Sequence, residues 1–329
     1  MSPVVALASY AVTFAIDSES VIKTARHCLI DALARGFEAL EDPERASLIG
    51  PLVPGALMPG GARVPGTSLE LDPAQAAFCT GVLLCLPNGD DHWLALQCGH
   101  AADSLGAVLA VADYQARKAS MEGRSPPRMR ELLIAAVKAL EIQGVLALEG
   151  GHRNPGMAAI RFARVAATAV ATAQLGGTVG HVAEALSYAC IDGGTAIASD
   201  EPHGIERREW ATADAISRAV RYACQTMAGA RSSAAIPLHP RTLELAGRLL
   251  GPKPWSTVQP FATGIIDRIA ERRSPQNVVE LTSRFQSAVD RRFPARQAER
   301  IKALFAAPER LYDLPVNEVV AALATNGRR

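Results

Sequence analysis

The stretch SVIKTARHCLIDALARGFEAL, residues 20–40, decides how the rest of the chain is read. Val21, Ala25, Cys28, Leu29, Ala32, Leu33 and Phe37 recur at spacings of three and four, which places them on one face of an α-helix. Ser18 or Ser20 is suited to cap its start. The same period continues along the chain. Upstream, SPVVALASYAVTFAIDSES is apolar but lacks a basic leader, so it reads as a first core helix and not as a signal peptide. Downstream, four prolines and four glycines within residues 51–66 (PLVPGALMPGGARVPG) make a loop. Asp72-Pro73 then opens a helix, with a carboxylate cap and proline in the first turn.

Further helices are predicted over AADSLGAVLAVADYQARK, from Ser125-Pro126 through RMRELLIAAVKALEIQGVLAL, and over MAAIRFARVAATAVATAQL. Thr178 caps GHVAEALSYACIDGG, and WATADAISRAVRYACQTMAG follows. Shorter helices are expected near 241–250, 257–271, 277–292, 295–306 and 316–324. No stretch alternates in a way that argues for a substantial sheet. The expected fold is therefore all-α, a helical bundle. Alanine-dense runs such as FARVAATAVATA let backbones approach closely and belong in its middle.

The composition narrows the function. Across 329 residues, 49% are hydrophobic and 20% charged, with a net charge of +1, so the chain has a large core and is not disordered. No long basic block supports nucleic-acid or acidic-membrane binding, and no apolar run is suited to span a bilayer. The six cysteines form no CxxC pair, so neither a disulfide framework nor a cysteine-held cluster is expected, and the compartment reads as the cytoplasm.

Chemistry concentrates in LPNGDDHWLALQCGH, residues 86–100, between two apolar helices. His100 reads either as an acid/base group at a helix mouth, where N–H groups would bind a carboxylate, or as a capping or packing histidine. Asp91 reads as a catalytic carboxylate or a loop cap. His92 is an ionisable group near neutral pH or a solvent-facing turn residue. Trp93 is a packing anchor or a substrate contact. No metal site is expected, because no established ligand spacing is present. Arg207 and Arg208 are suited to bind anions or to lie on a solvated helix start.

Several runs together resemble the MmgE/PrpD family: CLIDALARGFEAL (28–40), LDPAQAAFCTGVLL (71–84), DDHWLALQCGHAADSLGAVLAVADY (90–114), EIQGVLALE (141–149), RVAATAVATAQLG (164–176), WATADAISRAV (210–220), FPARQAERIKAL (293–304) and LPVNEVVAALA (314–324). The resemblance covers most of residues 15–230 and again 278–324. It implies a helical domain over 1–230, a short helical segment over 231–277 in place of the family's α/β lid domain, and C-terminal helices over 278–329 packing back on the bundle.

The implied chemistry is cofactor-independent elimination of water from a small di- or tricarboxylate of the 2-methylcitrate type, in a homodimer or a partner of a longer relative. The resemblance assigns His100 as acid/base, with Asp91 or His92 assisting, Arg208 anchoring a carboxylate, and Asn88, Trp93 and Arg207 contacting substrate. Several positions depart from the family pattern: His92 stands at a family Thr, and Ala101 and Ala102 stand where the family has Pro and Ser. Asn88 stands where a family Asp is expected and cannot act as a base. Ala159 stands near a family His, with His152 a few residues away. Arg208 stands at a family Lys and keeps an anion anchor, but not a proton to give up. These departures imply the alternative of a catalytically degenerate binding or assembly subunit.

Overall fold

The computed structural model describes residues 3–85, 100, 102–150, 155–192, 204–229 and 264–325. Among these residues the chain is almost entirely helical. The first nine helices are α1 (Pro3–Thr13), α2 (Glu19–Ala39), α3 (Pro43–Ser47), α4 (Pro73–Leu84), α5 (Leu105–Met121), α6 (Met129–Gly150), α7 (Pro155–Gln174), α8 (Val179–Ile191) and α9 (Gly204–Gly229). Five more follow: α10 (Gly264–Arg272), α11 (Pro275–Arg292), α12 (Ala295–Ala306), α13 (Pro308–Asp313) and α14 (Val316–Ala322). No helix among the described residues is long and apolar enough to cross a membrane.

The helix starts follow from local chemistry. Asp72 caps α4, its carboxylate accepting the N–H groups of Ala74 and Gln75 at 3.0 and 3.1 Å. Thr178 and His181 form a reciprocal capping box at α8. Ser18 holds the cap position of α2, but its hydroxyl pairs with Ser20 at 2.9 Å instead of with the backbone.

Two expectations are corrected. The loop over 51–66 runs into a small antiparallel hairpin, with β1 (Ala62–Arg63) paired to β2 (Glu70–Leu71). The helix expected from Ser125-Pro126 begins at Met129. Residues 127–129 instead pair with the C-terminal segment: the Met129 N–H donates to the Leu314 carbonyl at 2.9 Å, and the Val316 N–H donates to the Pro127 carbonyl at 3.0 Å.

The alanine run of α7 lies in the middle of the bundle. Ala163, Ala166, Ala167, Ala169 and Ala171 are all buried, and α7 packs against α6, α8 and α9 and touches α1 and α5. Thr168 and Thr172 return their hydroxyls to carbonyls one turn back, at 2.8 and 2.7 Å, so polar side chains remain satisfied inside this packing. Helices α4, α5 and α9 approach more closely still. A Cβ on Gly106 would stand 2.7 Å from the Gly81 nitrogen, and one on Gly81 would stand 3.1 Å from Ala213 Cα.

The hairpin strap is tied to α5. Asp113 accepts the Arg63 N–H at 2.8 Å, and Arg117 binds Glu70 and the Gly61 carbonyl, both at 2.7 Å. The C-terminal helices close over α2 and the strap. Arg284 pairs with Glu38 at 2.6 Å, and the Gly66 N–H donates to the Leu323 carbonyl at 2.7 Å. Glu141 of α6, only 1% exposed, accepts the first two amides of α10, from Ile265 and Ile266, both at 2.8 Å. Burial pushes its carboxyl up to about 8. The two N–H donors and Arg268 oppose the rise, while Asp267 adds to it.

Two predictions follow from this packing. Gly106→Ala forces a methyl into the Gly81 backbone and should cost about 1–3 kcal/mol in urea unfolding. An unchanged midpoint would contradict the close approach. Glu141 has a folded pKa above its unfolded one. The stability it contributes is therefore present below the usual carboxylate range and is lost as pH rises through about 8. The thermal midpoint of the native protein, followed by circular dichroism, should fall more steeply from about pH 5 to about pH 9 than that of Glu141→Gln. Parallel curves for the two proteins would refute this assignment.

Candidate active site

The close contact of α4, α5 and α9 brings three chain ends together: the last turn of α4, the turn that leads into α5, and the early turns of α9. At the first end, the Cys85 N–H closes α4 by donating to the Gly81 carbonyl at 2.9 Å. At the second, the Asp103 N–H donates to the His100 carbonyl at 3.1 Å and the Leu105 N–H to the Ala102 carbonyl at 3.0 Å. These bonds draw His100 and residues 102–104 into a tight turn at the start of α5. His100 is buried there, 3% exposed.

The turn is bound from inside by its own side chain. The Asp103 carboxylate oxygen Oδ2 accepts the His100 backbone N–H at 2.9 Å. The same oxygen accepts Nε2 of Gln143, on α6, at 2.9 Å. Asp103 and Gln143 are 3% and 1% exposed. Ser104 Oγ stands 3.3 Å from Gln143 Oε1 and 3.5 Å from the Ala163 carbonyl, so its one proton serves either acceptor.

Cys85 lies between this turn and α9. Its Sγ is 3.8 Å from the carbonyls of both Ala102 and Asp103. Burial holds its thiol well above the usual cysteine range. The charges of Asp103 and Glu209 add to that, while Arg208 and Arg35 oppose it. The thiol thus senses the His100 turn and the start of α9 together. Arg208 is half-buried, and its carbonyl accepts the Thr212 hydroxyl at 2.9 Å. The neighbouring Glu209 is buried and pairs with Arg45 at 3.3 Å. Arg35, from the middle of α2, is buried and pairs with Asp31 at 2.9 Å.

Of the residues singled out in the sequence, His100 belongs to the turn whose carbonyls approach Cys85, and Arg208 is near enough for its charge to act on the Cys85 thiol. Arg207 falls in α9, with its side chain outside the description. Asn88, Asp91, His92 and Trp93 lie outside the described residues, as does His152. Among the described residues, no group of three or more His, Cys, Asp or Glu side chains is placed to hold a metal ion. His27 is buried next to Arg26, and burial pushes its imidazole down to about 4, with Arg26, Arg273 and Lys23 adding to the shift.

Sequence reasoning passed over Asp103, Gln143, Glu209 and Arg35. A signal for Gln143 was present: Lys138, Glu141 and Gln143 interrupt an otherwise apolar helical run. Asp103 follows Gly99-His100 at a helix start, where a carboxylate meets free N–H groups. Arg35 carried no such mark, because an arginine on a helix usually faces water.

The family profile described as the MmgE/PrpD N-terminal domain matches residues 5–242. The chain is 41% identical over 227 residues to 2-methylcitrate dehydratase of Escherichia coli K12, covering 69% of this chain and 47% of that protein. It is 38% identical over 264 residues to 2-methylcitrate dehydratase of Cupriavidus necator, covering 80% and 54%. It is 35% identical over 266 residues to the mitochondrial 2-methylcitrate dehydratase of Yarrowia lipolytica, covering 80% and 51%. The chain spans about half the length of the curated relatives it matches.

The burial of Cys85 has a direct chemical consequence. In the folded protein at mildly alkaline pH, iodoacetamide should leave Cys85 unmodified by peptide mass spectrometry, and should label it once the chain is unfolded in guanidinium. Rapid native labelling would show the thiol to be open and ionised.

Proposed function

This chain belongs to the MmgE/PrpD family, and on that premise we propose that it carries the acid/base part of a dehydratase site acting on a small hydroxy di- or tricarboxylate such as 2-methylcitrate. The reading is supported by a buried His100 turn that packs on Cys85 and by a half-buried Arg208 whose charge acts on the same thiol.

The chemistry asks for three things. A base must take the proton beside a carboxylate, an acid must give a proton to the departing hydroxyl so that it leaves as water, and a cation must hold a substrate carboxylate. The electrons of the broken C–H bond form the new C=C bond as the C–O bond breaks. His100 supplies the proton transfer, with Asp91 or His92 as its assistant. Arg208 serves as the carboxylate anchor and not as a proton donor. The early turns of α5 and α9 add N–H groups and partial positive charge toward the same anionic substrate. An inactive binding or assembly subunit draws no support from the reported relatives, each named as an enzyme.

Proton NMR in deuterated water, with 2-methylcitrate, citrate and cis-aconitate as substrates, reports both elimination and simple proton exchange. Turnover or exchange is expected in the native protein, with a fall of at least about 100-fold in His100→Ala. Activity that survives His100→Ala unchanged would remove His100 from the reaction. No signal from the whole panel at high protein concentration would count against this substrate class.

A further inference from the structure

The turn before α5 contains more polar chemistry than a helix start requires. Asp103, Ser104 and Gln143 are all buried, and they come from the turn and from α6, with the α7 backbone carbonyl of Ala163 beside them. Around Gln143, the α6 residues Leu140, Ile142, Leu146 and Ala147 are buried apolar groups. A carboxylate and an amide placed among them lose their hydration, and an apolar pair of the same shape would fill the space without that loss. What the pair achieves is geometric. One oxygen of Asp103 takes the His100 backbone N–H at 2.9 Å, and the amide of Gln143 fixes that oxygen from behind at 2.9 Å. His100 is thereby tied through its main chain to a rigid core helix.

We propose that Asp103, held by Gln143, is a positioning residue for His100: its buried carboxylate clamps the His100 backbone and so sets where the imidazole stands for proton transfer. The proposal rests on the reading of His100 as the acid/base residue. The clamp itself has readouts that need no substrate. Gln143 has no charge of its own. It acts by preventing the carboxylate from turning toward water.

Three variants test the clamp. Asp103→Ala removes both bonds, Asp103→Asn keeps an acceptor but removes the charge, and Gln143→Leu frees the carboxylate. Thermal midpoints establish that each variant is folded. In protein labelled with 15N at backbone and histidine nitrogens, with His100 assigned by its absence in His100→Gln, the His100 amide should exchange at least about 10-fold faster in Asp103→Ala and Gln143→Leu. Asp103→Asn, which keeps an acceptor, should recover part of the native protection.

On a turned-over substrate, Asp103→Ala should lower kcat by about 100-fold with KM nearly unchanged, the loss expected of a misplaced acid/base group. Asp103→Asn should recover part of kcat. Folded variants with unchanged His100 exchange overturn the clamp, whatever the native activity. A native protein without activity, but with these changes in exchange, overturns the catalytic reading and leaves the clamp standing as geometry alone. Loss of kcat in proportion to loss of folded protein, with no recovery in Asp103→Asn, reduces Asp103 to a structural residue.

Discussion

Everything at the candidate site depends on two glycines. Gly81 and Gly106 bring the backbones of α4 and α5 within a distance that no side chain could share, and Ile216 and Ala213 of α9 close against the same point. Three helices that meet this tightly have little freedom to slide, because the interior behaves like a packed solid. The contact lies one turn from the end of α4 and in the first turn of α5. The chain ends beyond it are therefore held in place by backbone packing. Cys85, the His100 turn and Arg208 take their relative positions from that contact.

The helical architecture was legible because it is written in a repeating period. The face of α2, the caps at Asp72 and Thr178 and the alanine surface of α7 each depend on residues a turn or two apart. What escaped reading depends on partners far away in the chain. The hairpin at Ala62–Arg63 and the extended approach to α6 exist because distant backbone groups pair with them, and no local pattern announces such pairing. The site shows the same division. His100 stood out by motif, whereas Asp103 looked like an ordinary helix-start carboxylate and Gln143 like an isolated polar residue. Their importance comes from meeting each other across 40 residues of sequence.

The buried charges of this bundle are of different kinds. Asp192, at the end of α8, is saturated: Arg164 and Arg218 bind its two oxygens at 2.9 and 2.8 Å, and Tyr222 donates at 2.7 Å. That network joins α7, α8 and α9 and leaves the carboxylate with no free capacity for chemistry. Glu141 is joined to the amides of a helix start, and its raised pKa makes the docking of α10 sensitive to alkali. At the candidate site, charges of both signs act on the Cys85 thiol: Asp103 and Glu209 push it up, and Arg208 and Arg35 oppose them.

The way the C-terminal helices lie across α2 and the strap also bears on how the protein comes into being. Residues near 284 and 323 pair with residues near 38 and 66, a separation of most of the chain. Contacts of this range raise contact order and place part of the core's closure late in folding. During synthesis, α2 and the strap emerge long before the segments that cover them, and their apolar faces must wait uncovered. The closure of this bundle thus waits for the segments near 284 and 323 to be made, and until then the nascent chain is most exposed to aggregation and to chaperones.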